Sequence, residues 1–90
     1  MMIRAQSVGY LAATRCFVRE GIVTQEKADA MVVDYVTEQP KYRPGIIWAQ
    51  TTTPGTEAVQ AVAPYFNNGC QSLSIDNDEA GALIFPFITQ

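Results

Sequence analysis

The chain contains no histidine, and its second half, residues 44–90, contains neither lysine nor arginine. Histidine is the commonest general base and metal ligand near neutral pH, so its absence removes Ser-His and Cys-His nucleophile pairs and the usual zinc sites. The nucleotide-binding motifs GxGxxG and GxxxxGK[ST] are missing as well. We therefore expect a protein that is not an enzyme and that has no cofactor and no metal.

The absence of lysine and arginine from residues 44–90 also argues against nucleic-acid binding. Residues 1–43 hold all six basic residues and five of the nine acidic ones, whereas the charged residues of 44–90 are four acids. A phosphate backbone would be repelled by this second half. A helix-turn-helix would need basic or amide side chains on its second helix, but that segment carries Lys27 among four acids. We expect no nucleic-acid binding.

Cysteine is scarce, with only Cys16 and Cys70. The pair could form one bridge, but a small secreted domain usually carries four or more cysteines, so we expect free thiols. Cys16 lies in an apolar helical pattern, where a free cysteine acts as a small hydrophobe. Residues 1–6 contain no apolar signal-peptide core, and the longest apolar run, 82–88, is too short to span a bilayer. These features predict a cytoplasmic protein without a membrane partner.

The length and composition of the chain are those of a small folded protein. A chain of 90 residues with 48% hydrophobic and 17% charged residues predicts one globular domain, residues 1–90. A chain this short buries only about 60–65% of its unfolded surface, so the margin of stability is thin. Self-association is a common remedy, and a homodimer is one expectation.

The first 40 residues predict two helices. Apolar residues recur at helical spacing over residues 8–20, with Ser7 as the expected N-cap and Gly21 as the end. A second helix follows the N-cap Thr24 and stops before Pro40. Two helices with a short connection predict an αα-hairpin.

The rest of the chain predicts a small sheet. Ile46–Gln50 is typical of a strand, a third helix opens over 51–55, and Pro64 ends it. Residues 71–75 alternate as in a half-buried strand, and residues 83–88 form a second strand of the same hairpin. The expected fold class is α+β: an αα-hairpin followed by β-α-β-β, with a mostly antiparallel sheet and helices on one face.

Two polar segments have a functional and a structural interpretation. Asp76–Gly81 faintly resembles a calcium loop, but the fifth and twelfth ligand positions are Ala80 and Phe87, so we expect an ordinary turn. Thr51–Thr56 precedes a helix, where its hydroxyl and N–H groups would hold an anion or simply cap the helix.

The last predicted strand, Leu83–Ile88, does not alternate with polar residues, so both of its faces should be covered. Pro86 lacks an N–H and favours an edge position. An apolar edge strand either pairs with another chain or is covered by its own domain, and the sequence leaves both alternatives open.

Our leading hypothesis is a non-enzymatic protein-interaction module that uses the acidic, apolar C-terminal half. Small acidic phage or mobile-element inhibitors of a host protein have this general character. Aromatic side chains dominate binding hot spots, and carboxylates steer a partner with a basic surface. The candidate partner-binding residues are Trp48, Tyr65, Phe66, Phe85 and Phe87 as anchors and Asp76, Asp78 and Glu79 as steering charges.

Two other classes remain as alternatives. One is an oligomeric domain that binds a small ligand in a pocket between helices and sheet. The other is an enzyme that relies on carboxylates and tyrosine.

Overall fold

The computed structural model describes residues 2–89, and this part of the chain consists of helices, turns and loops without a β-strand. The α-helices are α1 (Met2–Arg19), α2 (Gln25–Glu38), α3 (Arg43–Thr51), α4 (Thr53–Val62) and α5 (Asn77–Ile88). Single 3-10 turns occupy Pro40–Tyr42 and Ala63–Tyr65. The α+β class with its small antiparallel sheet is therefore wrong, because each segment expected to be a strand has another structure.

The two most apolar of these segments are helical. Ile46–Gln50 lies within α3, which Pro44 opens at its first turn. Leu83–Ile88 lies within α5, where Ile84 and Ile88, one turn apart, are buried in the core. Because a single helix face carries these two residues to the core, the run needs no cover on both sides.

The third segment, residues 71–75, forms a loop and not a strand. Its one ladder contact is an isolated antiparallel bridge between Leu73 and Phe66. With no neighbouring strand on either side, this pair stays a local tie within the loop of residues 66–76, called here the 66–76 loop.

Helix α1 is the centre of the fold and contacts all four other helices. Val8, Leu11 and Ala12 form its buried stripe. The helix begins at Met2, so the expected N-cap role of Ser7 is wrong: Ser7 lies buried inside α1 and donates its hydroxyl to Ile3 O at 2.7 Å. Gly21 ends the helix as predicted, with φ +71°.

Threonine side chains cap the starts of α2 and α4. Thr24 accepts the N–H of Lys27 at 3.1 Å and caps α2 as predicted. Thr52 accepts the N–H of Gly55 at 3.0 Å and caps α4. The Thr56 hydroxyl donates to Thr52 O at 2.8 Å. These bonds support the capping interpretation of the 51–56 segment.

Cys16 and Cys70 form a disulfide bond, with their Cα atoms 5.6 Å apart. The expectation of free thiols is wrong. The chain reverses after α4 and returns the 66–76 loop to the last turn of α1, and the separation of 54 residues between the two cysteines gives no sign of this return.

Three tyrosines join α1, α2 and the first 3-10 turn. The Tyr10 and Tyr35 rings stack with centroids 3.9 Å apart, and Tyr35 stacks on Tyr42 at 5.2 Å. The Tyr10 hydroxyl donates to Met31 O at 3.0 Å. Burial, and then the nearby carboxylates of Asp34 and Glu38, raise the pKa of Tyr10 above its usual value.

The stack predicts that the protein loses stability in alkali. Burial, followed by the neighbouring Tyr42 and Tyr10, raises the pKa of Tyr35 too, so above about pH 10 the unfolded chain releases protons that the folded chain keeps. The free energy of unfolding should therefore hold up to about pH 10 and fall as the pH rises further. Urea unfolding at several pH values measures this fall, which should be smaller in Tyr35→Phe. An equal fall in both proteins would contradict the assignment.

Candidate protein interface

Helix α5 is held at both ends and along one face. Ile84 and Ile88 pack in the core with α4 and α1. Arg4, near the start of α1, donates to Ile88 O at 3.0 Å and places its guanidinium 4.5 Å from the Trp48 ring centroid. A cation at a helix C-terminus complements the helix dipole. The opposite, outer face of α5 is thereby fixed in solvent.

The outer face of α5 is centred on Ala82. Residues three and four positions away on a helix are surface neighbours, and for Ala82 these are Asp78, Glu79, Phe85 and Pro86. All five are exposed, and Phe85 has 57% of its surface accessible. The helix thus presents an aromatic ring and a proline at one end and two carboxylates at the other.

A shallow groove of about 300 Å³ borders this face. Its walls are Tyr65 from the second 3-10 turn, Ile75 from the 66–76 loop, and Glu79, Ala82 and Leu83 from α5. Tyr65 is 38% exposed. The groove and the outer face share Glu79 and Ala82, so they form one continuous patch. We call this patch the α5 surface: Tyr65, Ile75, Asp78, Glu79, Ala82, Leu83, Phe85 and Pro86.

Of the five aromatic anchor candidates, the structure brings Tyr65 and Phe85 together on the α5 surface. Trp48 is only 8% exposed and lies under Arg4. Phe66 and Phe87 are half-buried and pack against the core. These three aromatics are less exposed than Tyr65 and Phe85.

The three acidic candidates all lie at the start of α5. Asp76 is the N-cap and accepts the N–H of Glu79 at 2.8 Å, so its carboxylate is committed to the helix. Asp78 and Glu79 follow in the first turn, where the helix dipole favours negative charge. The expected turn at 76–81 is thus the first turn of a helix.

Sequence reasoning missed Ala82 and Pro86 as surface residues. The available signal was helical spacing: an Asp N-cap, two acids in the first turn, and Ile84 and Ile88 one turn apart. The exposed positions follow from that periodicity. The helical spacing was outweighed by the unbroken apolar run of residues 83–88 and by Pro86, which together favoured a strand.

A second, separate cleft of about 250 Å³ lies where α1, α2, α3 and α4 meet. Its floor includes Leu11, Val32 and Val59, and its rim includes Arg15 and Asp29. The rim therefore carries charges of both signs around an apolar floor.

Comparison of the chain with protein-family models, curated proteins and solved structures finds no match. Over residues 2–89, no helix has both the length and the apolar character needed to cross a membrane.

Proposed function

We propose that this protein is a non-enzymatic interaction module and that the α5 surface is its contact site for a protein with a basic surface. The observation that carries the proposal is the pairing, on one rigid helix face, of an aromatic ring exposed to 57% with the two carboxylates Asp78 and Glu79. An aromatic anchor with polar groups around it is the usual composition of a hot spot with its rim.

Charge complementarity selects the kind of partner. No base is present in residues 44–90, so the α5 helix and its flanking loop are purely acidic. A partner with lysine or arginine around an apolar centre would be attracted, whereas an acidic partner would be repelled. A small inhibitor of a host protein, of the phage or mobile-element kind, is the narrower hypothesis of this class.

The test uses a synthetic amphipathic helical peptide with a leucine stripe and lysines on its flanks. Addition of the peptide to labelled protein should shift the amide resonances of Ala82 and its helical neighbours. Phe85→Ala should weaken binding about 30-fold, or about 2 kcal/mol, because it removes the central anchor. Asp78→Lys with Glu79→Lys should slow association and reduce its dependence on salt. Titration calorimetry and stopped-flow kinetics measure the two effects.

The structure offers matched controls on α2. Val33 is 62% exposed, so Val33→Ala removes an apolar side chain of comparable exposure. Glu26 lies in the first turn of α2, so Glu26→Lys alters the helix dipole as the reversal on α5 does. Both controls should leave peptide binding unchanged. The proposal would be contradicted if a peptide with glutamates in place of lysines bound equally well, or if Phe85→Ala bound the lysine peptide with unchanged affinity.

A second copy of the chain is the competing occupant of the α5 surface. Light scattering across a range of concentrations distinguishes it, since a homodimer that Phe85→Ala converts to a monomer would place self-association there. A monomer that binds the lysine peptide would support the proposed partner.

The cleft where α1, α2, α3 and α4 meet favours small-ligand binding as a second candidate function. Its mixed-charge rim and apolar floor suit a small amphipathic molecule, but its volume of about 250 Å³ lies below the roughly 300–1,000 Å³ of usual ligand pockets. Native mass spectrometry of the purified protein would reveal such a molecule. The carboxylate- and tyrosine-dependent enzyme stays a weaker hypothesis, supported only by residue types.

We keep the cytoplasm as the proposed location. There, disulfides are usually transient or redox-sensing, because the glutathione and thioredoxin systems keep thiols reduced. Thiol labelling of the protein in intact cells, followed by mass spectrometry, would show the state of Cys16 and Cys70.

A further inference from the structure

The Cys16–Cys70 bridge joins the centre of the fold to the edge of the α5 surface. Cys16 is fully buried in the last turn of α1, and Cys70, only 3% exposed, lies in the 66–76 loop between the exposed residues Gly69 and Gln71. The same loop begins beside Tyr65 and ends at Asp76, the N-cap of α5. The bridge is thus the covalent link between α1 and the loop that supplies Ile75 to the α5 surface.

The sulfur of Cys16 lies next to a fixed positive charge. Arg19 places Nη2 3.2 Å from Cys16 Sγ. Its guanidinium is held there because it donates to Ala63 O at 3.2 Å and to Phe66 O at 3.1 Å, and its Nε pairs with Glu20 Oε2 at 3.0 Å. A neighbouring arginine stabilises a thiolate, and a thiol with a lower pKa is the better leaving group in disulfide exchange.

Cys70 lies on the less restrained side of the bridge. Its backbone has φ +60°, a left-handed conformation that non-glycine residues rarely adopt. One backbone bond, from its N–H to Asn67 O at 2.7 Å, closes the turn locally. Exposure of Cys70 Sγ requires movement within the loop, against the bonds from Asn67 N–H to Ser72 O and from Ser74 N–H to Tyr65 O, whereas exposure of Cys16 Sγ requires the last turn of α1 to move.

We infer that Cys70 is a site of thiol–disulfide exchange with a dithiol reductant, and that Arg19 makes Cys16 the leaving thiolate. A thiolate of the reductant attacks Cys70 Sγ, the Cys16–Cys70 bond breaks, and Cys16 leaves with the electron pair beside Arg19. The second thiolate of the reductant then attacks the reductant's first sulfur, which is bonded to Cys70 in the mixed disulfide, and Cys70 is released as a thiolate. The reductant departs as a disulfide, having supplied two electrons, and solvent protonates the cysteines according to pH.

The consequence is regulation of the α5 surface. Reduction removes the covalent tie between α1 and the 66–76 loop but leaves the bonds from Arg19 to Ala63 O and Phe66 O, so Tyr65 keeps its place while Ile75 is held less firmly in the wall of the groove. This consequence depends on the proposed interaction function, whereas the exchange reaction does not.

The exchange is tested with dithiothreitol on the oxidised protein under native conditions, by quenching with a maleimide and counting labelled cysteines. Wild type should be reduced far faster than it unfolds globally, with its helical circular dichroism retained and amide exchange protection lost over residues 66–76. Arg19→Gln should slow reduction about three- to tenfold, because the leaving thiol becomes less acidic. Arg19→Lys should restore part of the rate.

Arg15→Gln is the matched control, since it removes the same charge one turn earlier on α1 and should leave the rate unchanged. The absorbance of the thiolate at 240 nm, followed against pH, measures the pKa of the Cys16 thiol in Cys70→Ala. This pKa should be lower in Cys70→Ala than in the double variant Cys70→Ala with Arg19→Gln. Reduction only at the rate of global unfolding, loss of helix on reduction, or equal rates in wild type and Arg19→Gln would each overturn the inference.

Binding of the lysine peptide is measured separately on the oxidised and the reduced protein. Weaker binding after reduction supports the regulatory consequence, and equal binding overturns it. Absence of binding even to the oxidised protein would count against the interaction function and leave the exchange result standing.

Discussion

Gly55→Ala is expected to destabilise the protein by about 3 kcal/mol, the upper part of the range for overpacking a close contact. Gly55 lies in the first turn of α4, where α4 crosses the end of α3. A Cβ atom there would clash with Trp48 O and would lie 2.6 Å from Ala49 Cα and 2.8 Å from Thr52 Oγ1. The first two are backbone atoms and cannot rotate away, so the two helices must move apart.

The loss should be visible as a lower melting temperature. For a domain of this size, about 3 kcal/mol corresponds to a decrease of roughly 12–24 °C, measured by circular dichroism. It is also a large share of a total stability of about 5–14 kcal/mol. Denaturant unfolding should show a lower midpoint with an unchanged slope, because the surface exposed on unfolding is the same.

Gly81→Ala is the control with the opposite expected sign. Gly81 lies inside α5, and a Cβ atom there would have no neighbour within 4 Å. The substitution should stabilise the protein by about 0.5–1 kcal/mol, since alanine is the better helix former. If both alanine variants were equally stable, the close approach of α3 and α4 at Gly55 would be disproved.

The helical structure of α3 was not predictable from the local sequence pattern. Ile46, Ile47 and Trp48 have the β-branched and aromatic character of a strand. The structure makes them helical because Ile46 and Ala49 then face the core from one side, while Ile47 stays exposed. Tertiary packing outweighs local β-propensity here, as it often does for short segments.

The end of α1 and both ends of α2 were predictable because they carry explicit chemistry. Gly21 supplies the left-handed residue, Thr24 caps the next helix, and Pro40 stops it. Helix α5 carried equally good signals in Asp76 and the acids behind it, but Pro86 argued for an edge strand. In the structure Pro86 lies inside α5, where it lacks the N–H that would donate to the carbonyl of Ala82, and the helix ends two residues later at Ile88.

The candidate site was predictable in composition but not in arrangement. The acids and Phe85 were identified from charge asymmetry and aromatic content, but with the acids in a turn and Phe85 on a strand the expected fold did not place them on one face. Helical spacing places Asp78, Glu79 and Phe85 around Ala82. Burial of Trp48 depends on its packing beneath Arg4, a contact between residues distant in sequence that no local pattern reports.

Removal of the Cys16–Cys70 bridge is expected to cost about 4 kcal/mol of stability. The bridge closes a loop with a sequence separation of 54, and a closed loop of that length reduces the entropy of the unfolded chain by about this amount. Cys16→Ala with Cys70→Ala is the suitable variant, because alanine places no unpaired hydroxyl in the buried position of Cys16. Guanidinium unfolding of the oxidised wild type and the variant measures the difference.

Reducing agent separates the cross-link from the packing of the two sulfurs. In dithiothreitol the wild type should fall most of the way to the stability of the double variant, because only the cross-link distinguishes the oxidised protein from the reduced one. Persistence of the full difference in dithiothreitol would show that the sulfur atoms stabilise the core by packing. Because about 4 kcal/mol is less than the total expected for 90 residues, the reduced chain should stay helical. This is the condition under which opening the bridge can loosen the 66–76 loop while the helices stay folded.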